Sequence, residues 1–71
     1  MDIIKLLDVV ALTEDLPEQG LHRGEVGTVV ERWEDDVFEI EFSDETGKAY
    51  AFAAVPAEKL MKLYFRKDEA A

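Results

Sequence analysis

The chain contains one histidine, His22, within Gly20-Leu21-His22-Arg23-Gly24, and an imidazole is the first group to weigh for acid–base chemistry or metal binding near neutral pH. Either use needs company. Catalysis requires an oriented partner in a cleft, and a two-histidine metal site requires a second histidine that the sequence lacks. Ser43 precedes Asp44 in a turn, not in a Gly-x-Ser-x-Gly elbow, so a Ser/His/Asp arrangement is not indicated. Gly20 and Gly24 bracket a short basic stretch, but Glu25 stands where a phosphate cradle would need lysine. Both glycines are read as turn residues of positive φ. Glu34-Asp35-Asp36 and Asp44-Glu45-Thr46-Gly47 hold oxygen ligands of the kind calcium and magnesium prefer, without the spacing of a calcium loop. They are read as hairpin turns. No catalytic, cofactor-binding or metal-binding set is expected, and the chain is read as non-enzymatic.

What remains is a set of residues suited to contact with another protein. Val37 to Phe42 alternates strictly, so as a strand it turns Phe38, Ile40 and Phe42 to the core and Glu39 and Glu41 to water. Pairing Val30 with Ile40 or Phe38 places Val26, Thr28 and Val30 on the core face and Val29, Glu31 and Trp33 on the outer one. A bulge near Gly27 would reverse this facing over part of the strand. The expected outer surface therefore combines the carboxylates Glu31, Glu39 and Glu41 with the apolar Val29, Trp33 and Val37. Tryptophan is enriched at interface hot spots, and the alternative for Trp33 is packing over one end of the fold. Near the C-terminus, Leu60 to Phe65 is apolar on both faces, more than one small core needs, so Tyr64 and Phe65 are expected to contact another chain.

Five strands must position these residues. Turn residues divide the chain into the strands Asp8–Leu12, Val26–Trp33, Val37–Phe42, Ala49–Ala54 and Leu60–Phe65. Thr13 to Glu25 is a long, ordered first loop, and Pro56 opens a single helical turn over Ala57-Glu58-Lys59 before the last strand. Tyr50 and Phe52 are expected inward on the fourth strand. Residues 1–7 fit a short amphipathic turn about as well as a strand, the core is expected over residues 6–65, and residues 66–71 read as a tail.

The stretch Gly24-Glu25-Val26-Gly27-Thr28-Val29 resembles the Gly-x-Val-Gly-x-Val pattern of the second strand of small SH3-like barrels, also seen in KOW-type modules. With the element order, the resemblance implies an all-β, five-stranded SH3-like barrel occupying residues 1–71 as one domain. The run Leu6 to Pro17, followed by Gly20-Leu21, Arg23-Gly24 and Phe42-Ser43-Asp44, is similar to a family of short bacterial proteins known as a domain of unknown function. That resemblance implies a small partner encoded nearby, in the manner of toxin and antitoxin pairs.

Composition narrows the partner. Seventy-one residues carry 17 acidic and 8 basic side chains, a net charge of −9, with 48 % apolar residues and no cysteine. A chain of this length buries only about 60 % of its unfolded surface, which favours burial against a second copy. The charge repels phosphate backbones, so nucleic acid is disfavoured despite Arg23, Arg32, Arg66 and Lys67, and a basic protein partner is favoured. The cysteine-free composition and the acidic, briefly apolar N-terminus point to the cytoplasm, with no membrane span. The expectation is an acidic, self-associating interaction module, with an antitoxin-like neutraliser and a KOW-like nucleic-acid binder as alternatives.

Overall fold

The computed structural model describes residues 3–64. Phe65, Arg66, Lys67 and the expected tail over 66–71 lie outside the described residues. Five antiparallel strands form one sheet: β1 (Val9–Leu12), β2 (Val26–Glu34), β3 (Val37–Ser43), β4 (Ala49–Pro56) and β5 (Leu60–Lys62). Their order is β4-β3-β2-β1-β5, with β4 and β5 at the edges. Expected boundaries hold to within two residues except in β5, which stops at Lys62. The helical turn over Ala57–Lys59 is present as one turn of 3-10 helix.

The core lies on one face of the sheet. Val10 and Leu12 from β1, Val29 from β2, Phe38, Ile40 and Phe42 from β3, Ala53 and Val55 from β4, and Leu60 from β5 form one buried cluster. The long first loop completes it: a 3-10 turn at Pro17–Gln19 lets Leu16 and Leu21 bridge, and both side chains are buried. Gly20 and Gly24 take φ of +70° and +93°, which closes this excursion without steric penalty.

Two expected facings are corrected. Val29, not Val30, pairs with Ile40, so Gly27 and Val29 face the core while Val26 and Thr28 face outward. Val29 is fully buried and contributes nothing to an outer surface. The cause is a register shift between Val29 and Glu31, where Val30 is the extra residue. Such a bulge restores the outward facing of Glu31 beyond it. On β4 Ala51 and Ala53 face inward with Val55, Ala54 faces outward, and Tyr50 and Phe52 are 52 % and 58 % exposed. Large β3 side chains fill the core opposite, Phe42 pairing with Ala51, Ile40 with Ala53 and Phe38 with Val55. Space remains there only for small partners or Val55.

The N-terminal segment forms neither helix nor strand from Ile3 to Leu7; it runs into a turn. The Asp8 carboxylate accepts the Lys5 backbone N–H at 2.8 Å and lies 3.4 Å from Lys62 Nζ on β5. Leu7 takes a φ of +72° and donates its N–H to the Val29 carbonyl at 2.7 Å, which presents Leu6 and Leu7 to solvent. Among the described residues no helix is long and apolar enough to cross a membrane.

Candidate functional site

Cross-strand register sorts the outer face into rows. Glu39 on β3 stands opposite Glu31 on β2 and Ala54 on β4. Two residues along, Glu41 stands between Thr28 and Phe52, and Thr28 in turn faces Val9. The third row is apolar, with Ala11 between Val26 and Met61. Carboxylates thus occupy the centre of the face, flanked by the exposed apolar side chains Phe52, Val26 and Met61.

Trp33 belongs to the same face. Its indole Nε1–H donates to Glu39 Oε1 at 3.0 Å, which orients the ring while leaving it 59 % exposed. A second register shift, between Arg32 and Glu34, makes Trp33 the unpaired residue that bends out beside the carboxylates. Like charges directly opposite on neighbouring strands destabilise a sheet. Glu31 and Glu39 are such a pair, and among the described residues neither they nor Glu41 form an ion pair. The nearby cation is engaged elsewhere, since Arg32 bonds Asp35 at 2.9 Å and the Glu34 carbonyl at 3.2 Å.

Of the residues expected at an interface, Glu31, Trp33, Glu39 and Glu41 share this face, and Val29 does not. Tyr64 is exposed but stands past β5, with Lys62 Nζ 5.4 Å from its ring centroid. Phe52, Val26 and Met61 are members that sequence reasoning missed. Their parity with Glu41 and Thr28 is the signal that finds them, once the register is known.

The remaining polar groups build turns. His22 is exposed, and its backbone N–H donates to Glu25 Oε2 at 2.6 Å. Asp44 accepts from the Thr46 hydroxyl at 2.6 Å and from the Thr46 and Lys48 backbone N–H groups, while Gly47 at φ +89° completes the hairpin. These bonds, the Thr46 hydroxyl first, hold the Asp44 carboxyl below its ordinary range. Among the described residues no three histidine, aspartate or glutamate side chains are grouped to hold a metal ion. A groove beside β5, lined by Ile4, Ala57, Leu60 and Met61 with Asp36, Glu58 and Lys62 at its rim, offers two carboxylates and one amine.

Tyr50 crosses the end of β3, its ring tilted against Phe42 at 6.4 Å between centroids, and donates its hydroxyl to Glu25 Oε1 at 2.7 Å. The bond lowers the Glu25 pKa and raises that of Tyr50. A depressed carboxylate contributes stability above its unfolded pKa and loses it as pH falls through the folded one; a raised phenol contributes below its unfolded pKa and loses it as pH climbs through the folded one. The bond therefore stabilises most between about pH 5 and pH 9, from the ordinary values of the two groups. Tyr50→Phe is expected to lower the melting temperature across that window and to converge with the unchanged protein at either extreme. A constant difference at every pH would show that the hydroxyl contributes nothing through Glu25.

The chain belongs to the family described as a domain of unknown function (DUF4926). The family model matches residues 6–62, from the Leu6-Leu7 turn to the end of β5, and so takes in all five strands. No curated protein and no solved structure matches the chain.

Proposed function

We propose that this DUF4926 chain is a non-enzymatic, cytoplasmic protein-interaction module of SH3-like architecture, which self-associates and presents its outer sheet face to a basic protein. The strand order, the long first loop and the 3-10 turn before β5 support the architecture. One observation carries the function: Glu31 and Glu39 are held opposite each other with no cation paired to either among the described residues, beside an exposed indole oriented by Glu39. A basic partner relieves that repulsion, and the Trp33 ring supplies apolar contact area of the kind that dominates interfaces. The antitoxin-like form of the reading makes the partner a basic protein encoded nearby. Nucleic acid fits less well, because a phosphate backbone on this face meets three carboxylates while Arg32 is already paired.

The test is a pair of variants scored for both stability and binding. Glu31→Gln removes the like-charge opposition and is expected to stabilise the fold by roughly 0.2–1 kcal/mol while weakening and slowing capture of the neighbouring gene product, most clearly at low salt. Trp33→Ala is expected to leave the circular dichroism spectrum intact and weaken the complex by about 2 kcal/mol, roughly thirtyfold. Variants that fold and bind like the unchanged protein would rule out this face, and a partner that is not basic would remove the electrostatic argument.

A further inference from the structure

We propose that β4 is a pairing edge, through which two copies of the chain join into one continuous sheet, antiparallel about a two-fold axis at Phe52. The proposal rests on the self-association proposed above and assigns it a surface. β4 pairs with β3 on one side, and on the other no strand lies against it among the described residues. Half of its backbone donors and acceptors point to that open side. Natural sheets guard such edges with short length, charged side chains or an internal proline. β5, the other edge, has three residues and carries Lys62. β4 has eight, with no charge from Ala49 to Val55 and its single proline at the very end, at Pro56; its one bulge, at Tyr50, lies near the start, so the regular unguarded edge runs from Ala51 to Val55.

The strand is also its own complement. A two-fold axis normal to the sheet keeps both core faces on one side and requires residues of the same facing to meet. Phe52 opposite Phe52 of the second copy satisfies this, and it sets Ala51 against Ala53; the bulge at Tyr50 ends the regular ladder there. Pro56, which has no N–H to donate, then falls just outside the ladder. The two Phe52 rings, each 58 % exposed in the single chain, meet on the outer face as a cross-strand aromatic pair. Charge agrees with this arrangement at both ends. Lys48, just before one strand, approaches the end of the other, where Glu58 follows Pro56 and Ala57. Glu39 and Glu41 stay one strand inside the seam, on β3.

The experiment uses the full chain in size exclusion with light scattering over a range of concentrations. The unchanged protein is expected at twice the chain mass. Phe52→Lys is expected at the single mass with an unaltered circular dichroism spectrum: two lysines collide at the axis, while within one copy the new lysine stands opposite Glu41. The chain has no cysteine, so Phe52→Cys is expected to form a disulfide-linked dimer on mild oxidation, and Met61→Cys, on the opposite edge, is not. A single-mass unchanged protein would overturn both the self-association and this edge, leaving β4 to an extended segment of another protein. A dimer that persists in a folded Phe52→Lys would overturn the edge alone. If Phe52→Lys fails to fold, absence of the Phe52→Cys cross-link overturns the proposal.

Discussion

Phe42→Ala is expected to remove about 3–5 kcal/mol of stability, the range for emptying a fully buried aromatic site. A domain of this length holds on the order of 4–10 kcal/mol in total, so the variant is partly or wholly unfolded at room temperature. Where it still folds, the melting temperature falls by at least about 12 °C, at 4–8 °C per kcal/mol for so small a domain. Phe42 is fully buried, and its partners give it little chance to be replaced. Ala51 stands opposite on β4 and Gly27 opposite on β2, so neither strand has a side chain long enough to collapse into the space. Phe52→Ala is the matched control. It removes the same atoms from the adjacent strand at an exposed position, and at concentrations where the chain is monomeric it is expected to change stability by no more than about 0.5 kcal/mol. Calorimetry of the two variants tests the facing of β4 directly. A larger loss from Phe52→Ala than from Phe42→Ala would place the core on the other face.

Gly27 carries the second large effect. A Cβ added there would lie 2.6 Å from Ile40 Cγ2, 2.8 Å from the Glu41 carbonyl oxygen and 3.1 Å from Phe42 Cδ1. The isoleucine methyl and the phenyl ring can shift, but the carbonyl belongs to β3, where Glu41 is paired with Thr28. Moving it disturbs the central ladder. Overpacking of this kind costs about 1–3 kcal/mol, against about 0.5–1 kcal/mol gained when alanine replaces glycine in a strand. The clash outweighs the gain, so Gly27→Ala is expected to be destabilising and Gly27→Val more so. Urea denaturation is the measurement: the midpoint should fall in the order glycine, alanine, valine with the slope unchanged. An alanine variant as stable as the original would mean that β2 and β3 lie farther apart than this packing requires.

How much of this was legible in the sequence differs from strand to strand for physical reasons. β3 is transparent because its large and charged residues alternate without interruption, so Phe38, Ile40 and Phe42 inward and Glu39 and Glu41 outward follow from period two alone. β2 is opaque at its middle. Gly27 has no side chain to declare its facing, and the bulge at Val30 shifts parity between Val29 and Glu31, so an unbroken period of two gives the facing of Glu31 and misses that of Val29. β4 misleads because hydrophobicity favours Tyr50 and Phe52 for the core, whereas volume decides. The core already holds three large side chains from β3. Carrying β4 past Ala54 to Val55, a β-branched residue in phase with Ala51 and Ala53, would have pointed to the observed facing. For the candidate site, Glu31, Trp33, Glu39 and Glu41 were visible as types. Their juxtaposition, and the place of Phe52 beside them, depends on register across three strands, which no single segment encodes.

The order of strands in the sheet also sets an order in time. β2, β3 and β4 follow one another through tight turns, so their pairing closes only short loops, whereas β1 meets β5 only when residues near the two ends of the described chain come together. Formation of the meander first gives β1 a surface to dock on, and β5 then adds a ladder three residues long, tied by Asp8 and Lys62. The seam between β1 and β5 is thus expected to be the last to close and the first to admit solvent.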